Sequence, residues 1–100
     1  MSRLHLVLAT AGLLLVSAAG MAADPGIEAK YGKSCVTCHG SGVLNAPRKG
    51  DRAAWAPRLQ QGMSVLVGHV KGGFRNMPAK GLCNDCSDAD YEALIQFMSQ

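Results

Sequence analysis

Three observations predict an all-α fold of three to five helices joined by long loops. Apolar residues recur at helical spacing in three separate segments. Runs rich in Gly and Pro divide those segments. No stretch alternates between apolar and polar side chains for long enough to read as a strand. The first helix is expected over Pro25–Cys38. Asp24-Pro25 offers an N-cap followed by proline at the first helical position, and Ile27, Tyr31 and Cys35 recur every four residues. Residues 40–50 (GSGVLNAPRKG) hold three Gly and one Pro and read as loop. Asp51 caps a short helix through Trp55, whose end Pro57 disturbs. Met63, Leu66, Val67 and Val70 stand at i, i+3, i+4 and i+7 and predict a helix over Met63–Val70. Residues 71–82 (KGGFRNMPAKGL) have no periodicity and are again loop. In the last helix Ser87 is the N-cap and Asp90 the short carboxylate of a capping box, while Asp88 and Glu92 suit the helix dipole. Tyr91, Leu94, Ile95 and Met98 form its buried face.

A chain of 100 residues has room for one domain. The apolar fraction is 48%, but 15 of those residues fall in the first 22 positions, which leaves residues 23–100 with an ordinary soluble composition. Such a chain is not a polytopic membrane protein, a disordered tail or a multidomain enzyme. Residues 1–22 read as a secretory signal. Arg3 supplies positive charge, Leu6–Val16 is an apolar stretch, and Gly20-Met21-Ala22 places small residues for cleavage before Ala23. A retained anchor is the competing reading, which Thr10, Gly12, Ser17 and Gly20 weaken by diluting the segment. Export to the periplasm puts all four Cys in an oxidising compartment, where thiols are paired or otherwise bonded. The remaining domain, residues 23–100, is short of core. It has 17 large aliphatic or aromatic residues against 10 Gly, and chains this small need a staple or a cofactor.

Cys35-Val36-Thr37-Cys38-His39 is a C-x-x-C-H sequence, the attachment pattern for c-type haem. Two thiols three residues apart reach the vinyl groups along one porphyrin edge, and the adjacent imidazole points at the iron. The macrocycle would then supply the missing apolar mass. Zinc sites and redox dithiols also use C-x-x-C. A zinc ribbon wants a second pair much nearer than Cys83, and a thioredoxin-like site wants a preceding strand.

The second axial ligand is expected to be Met77. Met63 and Met98 lie on apolar helix faces, where Met is a gap-filler. Met77 sits in the loop Asn76-Met77-Pro78, where no periodicity explains it. His69 reads as a solvated helix residue, and His5 leaves with the signal. The proximal imidazole needs an acceptor for its other N–H, for which the Pro47 carbonyl is the candidate. Trp55 and Arg58 are candidate donors to a haem propionate, against packing and surface roles respectively. Cys83-Asn84-Asp85-Cys86 is followed by Ser87 where a second haem site would require His, so a tight disulfide is expected there.

Cys35–His39, Ala46-Pro47, Gly50-Asp51, Trp55–Leu59, Gly62-Met63, Met77–Gly81 and Cys83–Cys86-Ser87-Asp88 together resemble the cytochrome c5 group of class I bacterial c-type cytochromes. The resemblance spans nearly all of residues 26–98. It implies a small cytochrome c fold around one covalent haem c, His39 and Met77 as iron ligands, and a structural disulfide between Cys83 and Cys86. It also implies a soluble carrier of single electrons among respiratory-chain redox proteins. The alternative function is a haem-based sensor or peroxidase-like domain in which Met77 leaves the iron. Residues 23–82 carry 9 basic and 3 acidic side chains, whereas 83–100 carry none and 4. Lys30, Lys33, Arg48, Lys49, Lys71, Arg75 and Lys80 flank the haem-contacting loops, which favours a membrane oxidase or reductase with an acidic docking face. A monomer or weak dimer is expected, and no nucleic-acid partner.

Overall fold

The computed structural model describes residues 24–100 and, ahead of them, Gly12 alone. The expected signal segment and its cleavage point lie outside the described residues. Among the described residues there are five α-helices: α1 Pro25–Lys33, α2 Val36–His39, α3 Arg52–Leu59, α4 Met63–Gly72 and α5 Asp88–Ser99. Among the described residues there is no strand, only an isolated bridge between Phe74 and Met77, and no helix is long and apolar enough to cross a membrane.

The expected helix over Pro25–Cys38 is broken in two. The Asp24 side chain accepts from the Gly26 N–H at 2.9 Å and starts α1 as expected. Ser34 then leaves the helix at φ −139°, ψ −77°, and its hydroxyl donates back to the Lys30 carbonyl at 2.5 Å. The hydroxyl occupies the carbonyl that the Ser34 N–H would use in a continuing helix, and that N–H turns to the Tyr31 carbonyl at 3.2 Å. The chain restarts as α2, so Cys35 and Cys38 lie on a separate short turn.

α3 is longer than expected, running through Pro57 to Leu59. Proline costs a helix a hydrogen bond at the carbonyl four residues back. Here Ala53 and Pro57 are both exposed, so solvent can satisfy that carbonyl. Asp51 caps α3 as expected, through the Ala54 N–H at 3.1 Å. α4 continues two residues beyond Val70, to Gly72, and stops at Gly73, whose φ of +85° is left-handed.

The core is a seam between α5 and the other helices. Tyr91, Leu94, Ile95 and Met98 are buried, as the periodicity predicts, together with Trp55 and Leu66. Ile27 and Tyr31 pack on this cluster from α1, and the Tyr31 ring meets Phe97 edge-on at 5.3 Å. The Ser87–Asp90 capping box is complete, with Ser87 accepting from Asp90 N–H and Asp90 from Ser87 N–H. Lys30 and Asp90 then join α1 to α5 by an ion pair of 2.6 Å. Cys83 and Cys86 are paired as a disulfide just before α5, with Cα atoms 5.5 Å apart, and the buried Tyr91 hydroxyl donates to the Cys83 carbonyl at 2.8 Å.

Candidate haem site

Between the two long loops the helices leave a cavity of about 310 Å³. That is the lower end of the range for small-molecule and cofactor sites. His39, Pro47, Trp55, Leu66, Ile95 and Met98 line its interior, and Val43, Leu44, Phe74 and Met77 come from the loops. The lining is predominantly apolar, as a porphyrin requires.

The loop over residues 40–50 is a strap fastened at several points. The Lys49 N–H donates to the His39 carbonyl at 2.8 Å, and the Gly50 N–H to the Met98 carbonyl at 2.7 Å. The Arg48 Nε donates to the Ser41 carbonyl at 2.9 Å. Gly42, Leu44 and Asn45 all have positive φ, which lets the strap turn sharply beneath the cavity. The Pro47 carbonyl is thereby held 2.7 Å from His39 Nδ1. With Nδ1 as the donor, Nε2 is left with its lone pair free for a metal. Burial pushes the His39 pKa below the usual histidine value; the Arg58 charge acts in the same direction and the Pro47 bond opposes it. A neutral imidazole is the form that binds metals.

The indole of Trp55 stacks on His39, with centroids 5.6 Å apart and planes at 27°. Its Nε1 donates to the Arg48 carbonyl at 2.9 Å. That N–H is thereby engaged by the strap, and the ring's stacking on His39 gives Trp55 the packing role that the sequence also allowed. Arg58 also borders the cavity, with Nη1 donating to the Ala54 carbonyl at 2.6 Å and, among the described residues, no partner for its remaining N–H groups.

Of the two motif thiols, Cys38 is half-buried and borders the cavity. Cys35 is buried one turn back, 3.5 Å from the Ser34 hydroxyl and not among the lining side chains. Burial raises the Cys35 pKa, against a smaller opposing effect of Ser34. The residues present fit a covalent haem: an apolar slot, a neutral imidazole with one nitrogen engaged, and two thiols on the turn that carries it.

Met77 reaches the cavity from a two-residue turn. Phe74 and Met77 exchange backbone hydrogen bonds of 3.0 and 2.9 Å around Arg75-Asn76, with Arg75 at φ +53°. His69, expected to be solvated, is half-buried in the cavity wall and stacks on Phe74 at 4.0 Å. Neither His69 nor Phe74 was marked by periodicity, because their meeting depends on how the 71–78 segment folds back on α4.

The family model described as cytochrome C oxidase, cbb3-type, subunit III matches residues 22–98. Cytochrome c5 of Azotobacter vinelandii is 45% identical over 75 residues, covering 73% of this chain and 87% of that one. A solved mono-haem ferrocytochrome c from Shewanella putrefaciens is 49% identical, with TM-score 0.67, over 73% of this chain and 90% of that one. A chain in the crystal structure of an electron-transfer complex of nitrite reductase with cytochrome c is 41% identical, with TM-score 0.68, over 78% and 95%. Helical fold, apolar slot, C-x-x-C-H turn and these relatives agree: the chain belongs to the class I c-type cytochromes, in the cytochrome c5 group, and carries one covalently attached haem c with its iron.

Proposed function

We propose that the chain is exported to the periplasm, loses residues 1–22, and acts as a one-electron carrier rather than an enzyme. In this reading Cys35 and Cys38 hold the haem edge, His39 Nε2 and the Met77 thioether are the iron ligands, and the Cys83–Cys86 bond persists in the mature protein. The observation that carries it is that His39 and Met77 line one apolar cavity while Pro47 engages His39 Nδ1 at 2.7 Å. Bound there, the haem supplies reversible ferric–ferrous exchange, and a thioether opposite an imidazole raises its potential. The residues themselves do three things. The strap fixes the imidazole plane, the apolar wall excludes water, and the Phe74 turn presents the thioether.

Partners are redox proteins met briefly over a small area. The related cytochrome c solved with nitrite reductase supports that class of partner. The nine cations of residues 23–82 favour an acidic docking face on the respiratory oxidase or reductase that this chain serves. The test is stopped-flow mixing of the reduced holoprotein with a nitrite reductase and with a terminal oxidase. One electron should leave per haem, at a rate that falls as ionic strength rises. A haem that exchanges no electron with either partner contradicts the carrier reading, and a salt-independent rate contradicts the acidic docking face.

A further inference from the structure

The backbone after Met77 runs through three consecutive residues of positive φ: Lys80 at +65°, Gly81 at +53° and Leu82 at +68°. Gly81 is buried, its N–H donating to the Pro78 carbonyl at 3.0 Å. Left-handed backbone ordinarily accounts for a glycine. Here it is only part of the account, because Lys80 and Leu82 carry side chains in the same region on either side of it. What distinguishes position 81 is its neighbour. A Cβ added there would lie 2.9 Å from the Met77 Cε, and among the described residues no other group apart from its chain neighbours comes within 4 Å of it. The absent side chain leaves the slot that the Met77 methyl occupies.

We propose that Gly81 is a positioning residue for iron ligation, resting on the reading of Met77 as a ligand. A thioether sulfur bears a methyl, a methylene and two lone pairs, so seating the methyl against Gly81 determines where the lone pairs face. The opposite end of the residue is held by its paired backbone bonds to Phe74. Met77 is thus fixed at its main chain and at its terminal carbon, with the sulfur between. Adding a Cβ at position 81 displaces the flexible tip of a side chain, not backbone, so the fold should tolerate it while the sulfur turns away.

The test uses ferrous holoprotein and two variants. Gly81→Ala adds the clashing carbon. Gly62→Ala adds a carbon with no described group within 4 Å, at φ +98°, ψ +147°, a backbone that costs alanine more than the φ +53°, ψ +36° of Gly81, and so bounds the effect of backbone strain from above. The readouts are the proton resonance of the Met77 methyl, shifted by the porphyrin ring current, and carbon monoxide binding. Gly81→Ala should keep its covalent haem, move or lose the shifted methyl resonance, and bind carbon monoxide. Gly62→Ala should match the wild type in both. If Gly81→Ala does not accumulate, Gly81→Asn gives the same readout at less backbone cost, since asparagine visits this region more readily. An unchanged methyl resonance with no carbon monoxide binding overturns the role of Gly81. A wild type without any shifted methyl resonance overturns Met77 ligation, and the role of Gly81 with it.

Discussion

Trp55 shows how one side chain can serve a site without touching the chemistry. Its ring supports His39, and its N–H pins the Arg48 carbonyl next to the Pro47 carbonyl that His39 uses. Trp55→Phe keeps an aromatic ring but removes that donor, so a loss of about 1–2 kcal/mol is expected from the hydrogen bond and the smaller volume. Denaturant unfolding of the holoprotein should show a lower midpoint with unchanged slope; an unchanged midpoint would mean that the strap holds itself. At this scale the sequence exposes what depends on local spacing. Cys35, Cys38 and His39 announce themselves by position, and Met77 by being an apolar residue that no helix face explains. The partner of the Trp55 N–H and the stacking of His69 on Phe74 were not legible, because each depends on how a loop folds back on a helix.

At the scale of elements, caps were legible and breaks were not. Asp24, Asp51 and Ser87 each accept the backbone bond that their residue type and place imply. The division of the first helix at Ser34 turns on one hydroxyl choosing the Lys30 carbonyl, and periodicity is blind to that choice. The survival of α3 through Pro57 likewise depends on which face meets solvent. The α1–α5 joint makes a pH prediction. The Lys30 hydrogen bond holds Asp90 below the usual carboxylate pKa, aided by the Ser87 N–H, and the same hydrogen bond raises Lys30 above the usual amine value. Stability from Asp90 is present above its unfolded pKa and lost as pH falls through the carboxylate range to the folded pKa. Stability from Lys30 is present below its unfolded pKa and lost as pH rises through the raised one. The joint therefore works across the neutral range, with side chains 35% and 23% exposed, which keeps its contribution modest. Thermal midpoints of Lys30→Met should show a shallower fall on acidification than the wild type. Equal slopes would show that the Ser87 bond alone lowers Asp90.

Taken as a whole, the molecule has a small core that is arranged around a space. Among the described residues helix α5 supplies half of the buried apolar side chains, and two of them, Ile95 and Met98, border the cavity as well as the helix seam. The shortage of large side chains in residues 23–100 was therefore a legible sign of a cofactor, while the shape of the slot was not, since it is made by two loops without periodicity. In the proposed function Met77, alone of the methionines, ligates the iron together with His39. The ferric holoprotein's far-red absorption band, which marks thioether–ferric-iron ligation, tests it most directly. Wild type, Met63→Leu and Met98→Leu should all show the band, and Met77→Ala should lack it while keeping its covalent haem. A wild type without the band, or a band that survives Met77→Ala, would contradict it.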